Sequence, residues 1–166
     1  LHASVGSDVL QLLPMSHLGP APDTAGLGAM MAALMTPTSR AGSVGVSHSG
    51  TPVVDFAMLD NAHDLHGLVA ATRLAIDLLR SPAFDRIVEH IYIDDRGTGI
   101  DALTDQSSLE AWVRTHCGDY VHATSTCAMG TVVDDDFAVA GYENLSVCDA
   151  SVFPSIPDAN THLPTT

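Results

Sequence analysis

Histidine and cysteine are the residue types here that most directly invite chemistry, with nine of the first and three of the second. His63 and His66 stand three apart in a helical pattern and share one ligand face. Zinc takes about four ligands, and no cysteine or carboxylate stands near them at a recognisable spacing. Both are read as solvent-facing or capping residues, and no metal site is expected. His2, His17, His48 and His90 stand alone. Pairing Cys127 with His122 gives the outline of a thiol protease, but the neighbouring residues lack the oxyanion-hole glycine motif of that class. Cys127 and Cys148 are expected to be small buried hydrophobes. No G-x-G-x-x-G and no G-x-x-x-x-G-K-[ST] occurs, so no phosphate-cradling loop lies in these residues.

Two stretches stand above this background. The first is His122-Ala-Thr-Ser-Thr-Cys-Ala-Met-Gly130, followed by Thr131-Val132-Val133-Asp134. The second is Leu145-Ser-Val-Cys-Asp149-Ala150-Ser151-Val152-Phe153-Pro154, followed by Asn160-Thr161-His162-Leu163-Pro164-Thr165. Residues 145–148 read as a buried strand ending in Asp149, and the carboxyl ends of such strands hold ligand contacts in α/β folds. Asn160 or Thr161 suits the cap of a helix whose first turn holds Pro164. A helix start favours an anionic ligand atom. On physical grounds alone this amounts to a strand end and a helix start, both polar.

The order H-x-x-x-T-C-x-M-G, V-V-D, D-A-S-V-F-P and N-T-x-x-P-T resembles the C-terminal signature of the glucose–methanol–choline (GMC) oxidoreductases. These are flavoproteins that oxidise alcohols. The resemblance is densest over 120–166. Upstream it continues through Pro37-Thr-Ser-Arg40-Ala-Gly-Ser-Val44, which looks like the family's P-x-S-R-G-x-V strand, and through the helical 63–80 region. It implies that His122 is the active-site histidine and that Asn160 fills the second active-site position, Asn or His in relatives. Asp149 and Ala150 then lie along the ribityl and phosphate portion of FAD, and Thr161, Pro164 and Thr165 beside its isoalloxazine ring. Ala123 stands where a proline is common, Ser125 where a glycine is common, and Ala128 where an arginine is common. These departures fall between the key residues and bear on substrate more than on chemistry.

The residue types suit that chemistry. Alcohol oxidation removes a hydroxyl proton and a hydride from one carbon. An imidazole titrates at about 6.5 when unperturbed, so His122 is suited to take the proton. The Asn160 amide would hold the substrate oxygen, and the flavin takes the hydride. The resemblance thus implies the C-terminal part of an FAD-dependent alcohol oxidoreductase acting on a small-molecule alcohol. The N-terminal FAD-binding portion would lie outside these residues. Two other readings are a hydroxynitrile lyase on the same scaffold, with the flavin redox-silent, and a non-catalytic binding module.

The elements that must position these residues read as α+β. Strands are expected at 9–15, 42–50 and 53–58, with 19–28 a loop and 29–36 open between helix and strand. The clearest helix spans about 61–80. Its apolar stripe is Leu65, Leu68, Val69, Thr72, Ile76 and Leu79, and Asp60 or Asn61 is its cap. A shorter helix is expected over 83–90. Another starts at Ser107 with Glu110 completing a capping box, and places Trp112 as a core anchor. Past Gly118 the texture turns to short strands at 131–133, 137–140 and 145–148. The expected architecture is an antiparallel sheet with helices on one side, 1–117 belonging to a substrate domain. Residues 118–166 form the active-site segment and the return into an FAD-binding domain, as the resemblance implies.

Composition bounds the rest. At 166 residues, 46% of them hydrophobic, the chain supports one ordinary core. Acidic residues outnumber basic ones 20 to 6, lysine is absent, and the net charge is −14. That surface repels nucleic acid and anionic lipid. No apolar run nears the ~18–20 residues that span a bilayer. The first residues show no signal-peptide pattern, and three scattered cysteines fit reduced thiols, so a cytoplasmic location is expected. The sequence stops at Thr165-Thr166 straight after a helix-start signal, which leads us to expect a piece of something longer.

Overall fold

The computed structural model of the chain describes residues 1–17 and 26–166. Much of the loop expected at 19–28 lies outside the described residues. Two compact units emerge: residues 1–35 with 61–117, and residues 36–60 with 118–166.

The first unit is a sheet backed by helices. Strands β1 (His2–Val5), β2 (Asp8–Met15) and β3 (Ala29–Leu34) pair antiparallel in the order β1-β2-β3, with Leu10 opposite Leu34 and Leu12 opposite Ala32. The ambiguous 29–36 segment is therefore a strand. Methionine and alanine favour helix in isolation, but pairing with β2 outweighs that preference. Gly6, at φ +61°, makes the tight β1–β2 turn that a side chain would strain.

Helix α1 (Ala62–Leu79) packs against β2 and β3, capped by Asn61, whose side chain accepts the Asp64 amide at 2.8 Å. Leu65 and Val69 of the expected stripe are buried, while Leu68, Thr72, Ile76 and Leu79 are half-buried. The small residues Gly67, Ala71 and Ala75 complete the inner face. They permit a close approach: a Cβ on Gly67 would meet Leu34 Cδ1 at 2.9 Å. Helix α2 (Gln106–His116) packs on α1 and buries Leu109 and Val113. Its cap is Asp105, reciprocated by Ser108, rather than Ser107 with Glu110. The Asp105 carboxylate takes the Ser108 amide at 2.8 Å, and a charged acceptor outcompetes a hydroxyl there. Trp112 is half-buried and donates its indole N–H to Ile93 O at 3.0 Å.

No helix forms over 83–90. Isolated turns run from Ser81 O to the Phe84 amide and from Phe84 O to the Ile87 and Val88 amides. Ile87 is exposed while Phe84 and Val88 are half-buried, so the segment has no fully buried apolar stripe, and so short a helix does not hold without one. His63 and His66 are exposed as expected, and His63 also sits beside two carboxylates, with Nε2 3.3 Å from Asp8 Oδ1 and Nδ1 3.4 Å from Asp64 Oδ1. No group of three or more potential metal ligands occurs among the described residues. No helix among them is long and apolar enough to cross a membrane.

The second unit has little regular structure. Strands β4 (Ser43–Val46) and β5 (Pro52–Asp55) form an antiparallel ribbon of their own, Val44 opposite Val54, both faces exposed. The strands expected at 131–133, 137–140 and 145–148 reduce to single bridges, such as Ala138 with Ser146. Residues 145–148 are not a buried strand, since Leu145 and Cys148 are exposed. Asp134 explains the interruption: its Oδ1 accepts the Asp136 and Ala138 amides at 3.0 and 2.9 Å, folding the chain back before a ladder can extend. Cys127 is half-buried, so neither cysteine is a core residue.

Candidate active site

The second unit is held by main-chain rungs. The amides of Ser125, Cys127 and Met129 donate to the carbonyls of Ala150, Ser151 and Val152 at 3.4, 2.9 and 2.9 Å. Alternate residues of the segment 125–129 thus meet consecutive residues of a 3₁₀ turn (Ala150–Val152). Asp149 caps that turn, accepting the Ser151 amide at 2.8 Å. Val133 and Val152 are buried beside these rungs. The two motif stretches are therefore one structure, with His122 just upstream of the rungs and Asp149 at their far strand.

His122 is fixed on several sides. Its Nδ1 lies 3.0 Å from Thr161 Oγ1 and 3.1 Å from the Val121 carbonyl, and the Tyr120 ring meets it edge-on at 5.3 Å. Its Nε2 is shielded from solvent and has no hydrogen-bond partner among the described residues. Thr161 is 7% exposed and precedes the one-turn helix α3 (His162–Thr165). Its side chain does not cap that helix, because the hydroxyl is engaged by His122. A single turn aligns too few peptide dipoles for the helix-start argument made from sequence.

An open depression of about 620 Å³ is lined by His122, Asp149, Ala150, Ser151, Thr161 and Thr165. Val121, Ala123 and His162 also line it. The structure thus brings together five of the seven residues singled out. Asn160 and Pro164 are exposed and stand outside the lining. Ser151 was not singled out, yet its Oγ is shielded and without a hydrogen-bond partner among the described residues. The Asp-x-Ser spacing of a capped turn was the available signal for it. The Ser151 hydroxyl beside the carboxylate, together with the Ser151 amide, holds Asp149 below the usual carboxylate range. Of the two, only the amide makes a hydrogen bond of ordinary geometry.

Two shielded polar atoms without partners among the described residues, Nε2 of His122 and Oγ of Ser151, belong to residues that line one depression together with the Asp149 carboxylate. Leaving such atoms unpaired costs about 1–3 kcal/mol each. A carboxylate accepts hydroxyl groups and repels phosphates, which fits the polyol part of a dinucleotide cofactor at Asp149.

Residues 37–166 match the GMC oxidoreductase family, and the chain belongs to it. It is 34% identical over 127 residues to the 5-(hydroxymethyl)furfural oxidase of Methylovorus sp., covering 69% of this chain and 24% of that one. It is 32% identical over 123 residues to the oxygen-dependent choline dehydrogenase of Photobacterium profundum, covering 69% and 20%. A fungal aryl-alcohol oxidase structure superposes with a TM-score of 0.66 at 29% identity, over 87% of this chain and 24% of that one. A formate oxidase of Aspergillus oryzae, described with its FAD, shares the fold at a TM-score of 0.72 and 22% identity, over 95% of this chain and 29% of that one. The chain spans about a fifth to a quarter of the curated relatives' length.

Proposed function

We propose that this chain supplies the proton-accepting side of an FAD-dependent alcohol oxidation site. The observation that carries the reading is the shielded, unpartnered Nε2 of His122 over a depression whose wall is Asp149, Ala150 and Ser151. A substrate hydroxyl entering there is the donor that Nε2 lacks. The O–H proton passes to Nε2 as the C–H bond is broken, and a general base so placed contributes about 10²–10⁴ in rate. The bound flavin supplies the hydride acceptor. Asp149, Ala150, Thr161 and Thr165 are the residues of this chain that would hold it, Asp149 through ribityl hydroxyls. Asn160, beside Thr161, is the candidate second contact to substrate oxygen. The phosphate-binding loop would come from a further, N-terminal part of the polypeptide. The substrate class is a small molecule bearing a CH–OH group, in line with the alcohols named for the furfural oxidase, choline and aryl-alcohol relatives.

The test is anaerobic mixing of the flavin-loaded full-length polypeptide with small primary alcohols. Bleaching of the flavin is expected, slowed about 10²–10⁴-fold by His122→Ala. Cyanohydrin cleavage without any bleaching would overturn the oxidoreductase reading in favour of a lyase. A polypeptide that takes up no flavin would overturn both.

A further inference from the structure

We propose that Val121 is a substrate-contacting residue that selects alcohols whose CH–OH carbon carries an apolar group, an aryl ring or a branched alkyl chain. The inference deepens the proton-acceptor reading above and rests on it.

Val121 sits at φ +54°, in the left-handed region, where a β-branched residue is a genuine outlier. The residue is 81% exposed, so no burial offsets that cost. Three other left-handed residues of this unit are better supported. The amides of Ala57, Ser125 and Phe137 donate to Asp55 Oδ1, the Ala150 carbonyl and the Asp134 carbonyl at 2.8, 3.4 and 3.0 Å. The Val121 amide makes no main-chain hydrogen bond among the described residues. Glycine or asparagine would adopt this conformation more cheaply. The valine thus weakens the fold locally and returns nothing to it, and strain of this kind concentrates at functional sites.

The makeup of the depression says what the side chain meets. His122 is bracketed along the chain by Val121 and Ala123, and both line the depression with it. The polar lining, Asp149, Ser151, Thr161 and Thr165, comes from segments further on. The base is therefore flanked by apolar side chains, and the polar residues lie elsewhere on the wall. Consecutive Cα atoms stand about 3.8 Å apart, so an alcohol that delivers its hydroxyl to His122 brings the group on its CH–OH carbon within reach of Val121. An apolar group there removes the isopropyl side chain from water, a gain that scales with the area covered. A cationic or hydroxyl-rich group gains nothing from that wall and gives up hydration of its own.

The test uses benzyl alcohol, ethanol and choline as probes on the flavin-loaded full-length polypeptide, and compares Val121→Asn with Val121→Ile. Asparagine accepts the left-handed backbone and removes the apolar surface, whereas isoleucine keeps that surface. The unaltered protein is expected to favour benzyl alcohol over ethanol and choline in kcat/KM. Val121→Asn should lower the benzyl alcohol to ethanol ratio about tenfold, the low end for a lost apolar contact. The loss should fall on KM, because the contact is made equally before and during the reaction. Val121→Ile should hold the ratio to within about twofold. In thermal unfolding without substrate, Val121→Asn should raise the midpoint, since strain is relieved and no buried surface is lost. A preference of the unaltered protein for ethanol or choline overturns the inference and needs no variant. A ratio that Val121→Asn leaves unchanged also overturns it, any loss common to both alcohols reflecting only the placing of His122. So does a lowered midpoint, which would mean that the side chain is buried against the rest of the polypeptide. Full turnover in His122→Ala would instead sink the proton-acceptor reading, while the alcohol ratio would still decide the role of Val121.

Discussion

The two units reach order by different physics. In the first, side chains do the organising: Leu10 and Leu12 from the sheet, Leu65 and Val69 from α1, and Leu109 and Val113 from α2 are buried in its core. In the second, two valines and Thr161 are the large or polar side chains that reach comparable burial, and the chain is held by main-chain rungs and Asp-capped turns. Side-chain burial is non-directional and sums over area, whereas rungs and caps are directional and fix particular atoms. A scaffold can be built the first way. A segment whose particular atoms must meet at hydrogen-bond distance is built the second way.

The sharpest way to break this contrast is Leu65→Ala. It should cost about 2–5 kcal/mol in urea unfolding, as expected for a leucine deleted from a packed core. A loss below about 1 kcal/mol would mean that the first unit is not core-driven. A smaller effect sharpens the picture of the second unit. Ser125 sits at φ +71°, a left-handed conformation that costs an L residue about 1–2 kcal/mol. Ser125→Gly removes that strain but gives up the hydroxyl's 3.1 Å bond to Thr124 and a more restricted unfolded chain. The net expectation is a gain of under about 1 kcal/mol, read as a raised thermal midpoint. A lowered midpoint would show that the hydroxyl matters more than the backbone there.

The smallest effect is a change of slope. Asp149 has its folded value lowered, so its contribution to stability is full above the ordinary carboxylate value of 3.8. That contribution is lost as pH falls through the lower folded value. Asp149→Asn can still accept the Ser151 amide but does not titrate, so its stability should vary less with pH over that acid range. Identical acid limbs for the two proteins would remove Asp149 from the account.

The same division decides what was legible in the sequence. α1 and β2 were readable because periodicity and capping are local and repeat, and α2 was read with its cap two residues late, at Ser107 instead of Asp105. β3 was not, since its alanines and methionines become a strand only through β2. Residues 83–90 read as helix because their composition permits one, but nothing nearby buries Ile87. In the second unit, periodicity misled at 145–148, where Asp134 turns the chain before a sheet can form. The family motif, by contrast, led straight to His122, Asp149, Ala150, Thr161 and Thr165 around one depression. It did not single out Ser151, whose hydroxyl is shielded and without a partner among the described residues, and two of the residues it named, Asn160 and Pro164, are exposed and outside the lining. A motif names residues, while a lone pair without a partner shows only in three dimensions.

The rungs from 125–129 to 150–152 carry a lesson about how this region tolerates change. Because amides and carbonyls form them, each intervening side chain is free to drift, as Ala128 has done relative to the common family pattern. Insertion of even one residue between Ser125 and Met129 is another matter. It would slip every later amide past its carbonyl and break the link that keeps the histidine's loop and the aspartate's turn on a common wall.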